Sequence, residues 1–144
     1  SFYFWRNINS VDVLNMRAME ALDQVDLNRF ANELAVNLPY GRKRALEIAA
    51  TIAMDPELML LDEPTQGMGH EDVDLITELI KKVSKGRTVL MVEHNMKVVA
   101  NIATTISVLQ RGEVIAEGSY EQVSKNHQVM EAYMGTADTE LQGH

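Results

Sequence analysis

The sequence predicts an α/β domain with parallel core strands and an antiparallel edge. Three observations lead there. Apolar stripes at helical spacing alternate with short runs that are apolar at every position. One such run, Leu58 to Leu61, reads as a strand covered on both faces, and Thr88 to Val92 reads as a second buried strand. Late in the chain, Ile106 to Leu109 and Val114 to Ala116 flank Gln110-Arg111-Gly112-Glu113, the pattern of a hairpin. The resulting order is helix, strand, helix, strand, helix, hairpin, helix.

Each element has its own signal. Ser1 to Asn9 is aromatic-rich without periodicity. Ser10 is the expected cap of a first helix, whose stripe is Val11, Leu14, Ala18, Leu22 and Val25. A polar stretch runs from Asp26 to Glu33, and Pro39-Tyr40-Gly41 reads as a turn. Ala45, Ile48, Ala49, Ile52 and Ala53 form the next helical stripe, stopped by Asp55-Pro56. Glu71 to Lys85 reads as an amphipathic helix through Ile76, Leu79, Ile80 and Val83. Its acids lie at the start, its lysines at the end, and Gly86 at the stop. Met96 to Ile102 gives a short helix, and Ser119-Tyr120-Glu121-Gln122 has the spacing of a capping box. Gly135 to His144 is expected to be a loose tail.

Composition narrows the function. The 144 residues suit one domain or a piece of a larger one, and 46% apolar with 24% charged residues is ordinary globular usage. With no cysteine, a disulfide scaffold, thiol catalysis and a sulfur-ligated zinc site are excluded, and a reducing compartment fits. Apolar runs of four or five residues are far short of the roughly 18 a membrane span needs. No signal peptide is visible. A net charge of −8 speaks against a general nucleic-acid binder. Ser1, not methionine, comes first, which fits a start inside a longer protein or after a removed tag.

Three places carry chemistry. Leu58-Met59-Leu60-Leu61-Asp62-Glu63-Pro64 delivers two adjacent carboxylates at the C-terminal end of a buried strand, where open α/β sheets bind ligands. One carboxylate suits Mg²⁺ held through water, and the other an attacking water that needs orienting or deprotonating. His94 ends the next apolar strand and could face the same crevice; a surface or helix-capping histidine is the plain alternative. Leu38-Pro39-Tyr40-Gly41-Arg42-Lys43-Arg44 opens a helix with three bases in its first turn, against the dipole's preference for acids. Free N–H groups there suit a phosphate, while a solvated basic turn is the commoner arrangement.

In this order and spacing, these pieces resemble the ATP-binding cassette of ABC transporters, over about Val11 to Gly135. The implied fold is the C-terminal part of a P-loop NTPase (RecA-like) cassette with a remnant of its helical lobe. Leu38, Pro39, Tyr40, Gly41 and Arg42 lie where the family has its LSGGQ signature. Leu58 to Glu63 matches the Walker B strand, Pro64 to Gly69 lies where the D-loop follows, and His94 matches the switch histidine. The stretch from Arg111 to Ser119 resembles the hairpin that closes the cassette. Leu-Pro-Tyr-Gly, Val-Glu-His-Asn-Met and the run from Met130 to Gly135 look most like cassettes for branched-chain amino-acid and urea uptake.

The sequence also departs from the family. None of the eight glycines (41, 67, 69, 86, 112, 118, 135 and 143) begins or ends a Walker A loop, GxxxxGK[ST]. The chain is therefore expected to be the C-terminal part of a cassette, inactive alone, with 1–40 as helical-lobe remnant, 41–135 as cassette core and 136–144 as tail. Pro39 stands at the signature serine, so that hydroxyl's contact to the γ-phosphate is absent, and Gly69 stands at the D-loop aspartate.

What the resemblance implies is a sandwich of two cassettes around two ATP molecules. Asp62 would position Mg²⁺, Glu63 would act on the attacking water, and His94 would contact the γ-phosphate. The signature turn, with Gly67 and Gly69 nearby, would face the partner's nucleotide. The implied partners are a second cassette and transmembrane permease subunits, with no nucleic acid, and the implied place is the cytoplasmic face of the membrane. Two other readings are the C-terminal half of a chromosome or DNA-repair ATPase and a non-enzymatic half-cassette that binds another cassette. If the other half supplies strands of the same sheet, this chain exposes sheet edge and is expected to self-associate.

Overall fold

The computed structural model describes residues 8–132. Two compact units divide between His94 and Asn95. The first contains α1 (Ile8–Gln24), two single 3₁₀ turns (Asn28–Phe30 and Ala35–Asn37), α2 (Tyr40–Ile52), β1 (Leu58–Asp62), α3 (His70–Val83) and β2 (Thr88–Val92). The boundary expected at residue 40 lies inside this unit, where α1 packs on α2 and α2 on α3.

β1 and β2 pair in parallel, Leu58 with Thr88 through Asp62 with Val92. The pairing continues one step at each end, because the Thr88 N–H donates to the Glu57 carbonyl at 2.8 Å and the Glu63 N–H to the Val92 carbonyl at 2.9 Å. A parallel pair requires a crossover, and α3 supplies it. The α2 stripe is buried at Ala45, Ile48, Ala49 and Ile52, as its spacing predicts, although Ala53 is exposed. The α3 stripe is buried at Ile76, Leu79, Ile80 and Val83. Acids open α3 and lysines close it, matching its dipole.

Several expectations need correction. The described part of the first helix runs from Ile8, so Ser10 lies within it and not at a cap position. Its stripe is buried only towards its end: Val11, Leu14 and Ala18 are exposed, whereas Ala21 and Val25 are buried. Periodicity records that a face is apolar, and here no described residue covers its first two turns. The polar stretch from Asp26 contains a 3₁₀ turn. Pro39 is itself the N-cap of α2, so the expected turn is the helix start. α3 runs from His70 to Val83, with Ser84 as its C-cap, and Gly86 lies beyond it at φ +80°.

The largest correction concerns the sheet. Met59 is fully buried and Leu61 half-buried, but Leu58 and Leu60 are exposed. In β2, Leu90 and Val92 are exposed as well. The strands are thus covered on one face. The other presents Leu60 beside its register partner Leu90, at 69% and 61% exposure, with Leu58 and Val92 flanking them. Side chains alternate along a strand, so Asp62 belongs to this open face.

The second unit holds α4 (Met96–Ile102), β3 (Ile106–Gln110), β4 (Glu113–Gly118) and α5 (Tyr120–Ser124), and residues 127–132 are also helical. Asn95 caps α4 by accepting from the N–H groups of Lys97 and Val98. β3 and β4 form the expected antiparallel hairpin, with an irregularity between Val108 and Leu109. Arg111 and Gly112 make its turn with φ of +50° and +86°, the mirror-image turn that follows strand twist. The capping box forms as predicted: Ser119 Oγ accepts from the Gln122 N–H, and Gln122 Oε1 from the Ser119 N–H. α5 packs on both strands of this hairpin. The tail from Gly135 lies outside the described residues.

Candidate functional site

The site grows from the end of β1. At Glu63 the chain leaves the strand in a left-handed conformation, φ +42°, that a glutamate rarely adopts. Such a conformation persists only where its surroundings over-determine it. Here they do, from three sides. The ladder bond to Val92 holds the Glu63 N–H, and the Gln66 N–H returns to the Glu63 carbonyl at 3.1 Å. From α2, the Arg44 guanidinium donates to the carbonyls of Asp62, Glu63 and Pro64 at 3.3, 3.0 and 3.1 Å.

The third support comes from the end of β2. The side chain of Glu93 is fully buried. Its Oε1 accepts from the Thr65 hydroxyl and, at 3.3 Å, from the Thr65 N–H, while its Oε2 accepts from the His94 N–H at 2.9 Å. A buried carboxylate is stable only when hydrogen-bonded, and these bonds join the loop after β1 to the turn after β2. They bring the two turns together so that His94 Nδ1 lies 3.3 Å from Glu63 Oε1. The sequence places Glu63 and His94 at neighbouring strand ends; the structure puts their side chains within reach. Two-thirds of the His94 side chain is exposed, as is about a third of that of Glu63.

The glycine turn lies at the start of α2. Leu38 is buried, and Pro39, in extended conformation, provides no side-chain cap. The first N–H groups of α2 therefore lack an intrahelical acceptor, as at any helix start. Gly41 is buried, and a Cβ there would meet Asp72 Oδ1 at 2.5 Å, so any larger residue would have to displace that carboxylate. Tyr40 donates its hydroxyl to the Gln66 carbonyl at 3.4 Å. Gly67 turns the loop at φ +74°, whereas Gly69 is the extended N-cap of α3.

Two of the three bases are already engaged. The Arg42 guanidinium lies 4.3 Å from the centroid of Phe30, whose ring also carries Arg29 at 4.8 Å. Arg44 is spent on the three carbonyls and on Glu47, 2.6 Å away. The negative charge that the helix start prefers is supplied by Asp72. Sequence reasoning placed Arg44 among bases suited to a phosphate and missed its hold on this loop, and it missed Thr65 and Glu93 as parts of the site. Only Glu93 left a signal, an acid directly following an apolar strand run.

Among the described residues, no group of three or more acidic, histidine or cysteine side chains converges to hold a metal, and no helix is long and apolar enough to cross a membrane. Magnesium does not need such a cage: it binds one or two carboxylates and completes its shell with water and phosphate oxygens. Asp62, exposed at the strand end, fits that donor set.

Residues 4–66 match the family described as ABC transporter, and residues 113–139 the family described as branched-chain amino acid ATP-binding cassette transporter. Over most of its length the chain is similar to ABC transporter ATP-binding cassettes. One relative is the high-affinity branched-chain amino acid transport ATP-binding protein BraF of Pseudomonas aeruginosa, 40% identical over 81% of this chain and 46% of that protein. Another is LivG of Escherichia coli K12, with the same description, 38% identical over 84% of this chain and 48% of LivG. The chain spans about half the length of these relatives. The crystal structure of an ATP-binding cassette of an ABC transporter in its ADP conformation matches with a TM-score of 0.79. At 24% identity over 94% of this chain and 54% of that one, it shows the cassette fold.

The Thr65–Glu93 bond is a test of how this cassette joins its two strand ends. Thr65→Val, which keeps the volume and removes the hydroxyl, is expected to cost ~2 kcal/mol, as hydrogen bonds to charged groups do. Thr65→Ser is expected to cost less than ~1 kcal/mol. Urea denaturation of both variants measures the difference.

Proposed function

We propose that this chain forms the C-terminal part of the ATP-hydrolysing subunit of an ABC transporter that takes up branched-chain amino acids or a similar small polar solute. The observation that carries the reading is the approach of His94 Nδ1 to Glu63 Oε1 at the ends of two parallel strands. The similarity to BraF and LivG supports the substrate class. The complete subunit would work with a second cassette and with permease subunits, at the cytoplasmic face of the membrane.

In the mechanism, each residue has one task. Asp62 would hold Mg²⁺ through water, and the ion supplies charge neutralisation on the phosphates. Glu63 orients the attacking water and accepts its proton. His94 restrains the Glu63 carboxylate through Nδ1 and turns its other ring nitrogen towards the terminal phosphate. The N–H groups at the start of α2, from Tyr40 to Arg42, face the partner cassette's nucleotide and stabilise its charge. Gly67 and Gly69 shape the loop beside that surface. The phosphate-cradling loop, GxxxxGK[ST], is not in this sequence, so the chain by itself does not hydrolyse ATP.

In the complete subunit, Glu63→Gln is expected to leave ATP affinity nearly unchanged and to lower turnover by at least ~10²-fold, the usual worth of a general base. Near-normal turnover would remove Glu63 from this role. Calorimetric titration of the 144-residue chain with Mg-ATP is expected to give no binding heat up to millimolar nucleotide. Saturable micromolar binding would require a phosphate site of another kind.

The open face of Leu58, Leu60, Leu90 and Val92 supports self-association of the isolated chain through this sheet. Light scattering over a concentration series is expected to show a mass above 16.2 kDa. Leu60→Lys should return it towards the monomer; a monomer at every concentration would sink the idea.

A further inference from the structure

The most demanding feature left unexplained by the proposed chemistry is Arg44. It is one helical turn from the glycine turn at the start of α2, yet its guanidinium is directed into the loop that carries Glu63. Three consecutive carbonyls, of Asp62, Glu63 and Pro64, accept from it. The ion pair with Glu47, one turn further along α2, engages the remaining nitrogen of the fork. Carbonyls brought together this closely repel one another, and a left-handed residue between them adds strain. A planar cation with five N–H donors answers both problems at once; a lysine, with one nitrogen, cannot reach three acceptors in that geometry. A second link parallels it: Tyr40, in the first turn of α2, donates to the Gln66 carbonyl on the same loop.

We propose that Arg44 is a positioning residue that rigidly couples the start of α2 to the Glu63 carboxylate. The inference rests on the reading of Glu63 as the group that activates water, and it adds a direction of communication. The start of α2 is the surface offered to the partner's nucleotide, whereas Glu63 acts on the chain's own. Arg44 and Tyr40 make the two parts of one chain move together. A nucleotide that seats α2 thereby fixes the placement of Glu63, and the two sites of a cassette pair report on each other through these donors. Arg44 touches no reacting atom; it acts through the loop backbone.

Two measurements test this. The first uses the 144-residue chain without nucleotide and reads amide hydrogen exchange in wild type and Arg44→Lys, which retains the charge and the reach to Glu47. Exchange at Glu63 and Gln66 is expected to quicken by about tenfold, with amides of the β3–β4 hairpin unchanged. Unchanged exchange at Glu63 and Gln66, or an equal acceleration throughout, overturns the proposal. The second uses the complete subunit with its permease. Arg44→Lys is expected to lower kcat by ~10- to 100-fold with KM for ATP within about twofold, since small misplacements of a reacting group have effects of that size. Glu63→Gln is measured beside it. Loss of turnover in Glu63→Gln with wild-type kcat in Arg44→Lys overturns the coupling and leaves the assignment of Glu63 standing. Full turnover in Glu63→Gln overturns both.

Discussion

The arrangement depends on how β1 ends. A parallel strand pair fixes the direction and height at which its two C-terminal ends emerge, and whatever follows starts from there. In this chain the ladder does not fade at its last residue. The Glu63 N–H still pairs with Val92 while Glu63 itself has turned into left-handed space. The strand therefore stops abruptly and under load. Everything around it answers that load: Arg44 from α2, the returning Gln66 amide, and the Glu93–Thr65 bond from the β2 side. The placement of Glu63 against His94 follows from those restraints and not from any attraction between the two side chains alone.

Most of the element order was legible. Amphipathic spacing identified α2 and α3, capping chemistry identified α5, and Met96–Ile102 matched α4 at both ends. These signals are local, set by residues three or four positions apart, and a single sequence contains them whole. Coverage was not legible in the same way. Leu58 to Leu61 is apolar throughout, which means that its surroundings are expected to be dry on both sides; it does not say that the covering element lies among these residues. The strand is covered by one face only, and the first turns of α1 repeat the lesson at Val11 and Leu14.

The candidate site divides along the same line. Asp62, Glu63 and His94 could be chosen because strand ends of an α/β sheet are predictable places for ligands. The task of Arg44 could not, because its acceptors lie 18 to 20 positions away and are backbone carbonyls, which leave no trace in a sequence. Thr65 and Glu93, 28 positions apart, meet only once the strands are paired. The bases at the start of α2 looked like an invitation to phosphate; folding commits Arg42 to a ring and Arg44 to carbonyls, and leaves the backbone amides and Asp72 to set the field there.

The uncovered side of the sheet has a thermodynamic consequence. The rise in heat capacity on unfolding comes chiefly from apolar surface that passes from a dry interior into water. Leu58, Leu60, Leu90 and Val92 are already wet in the folded chain, so their transfer adds little to that quantity. The curve of stability against temperature is correspondingly flattened for the isolated chain. When a partner surface dries this face, the same four residues begin to contribute, and the curve steepens. Docking onto the sheet thus changes the temperature response of the protein as well as its total stability.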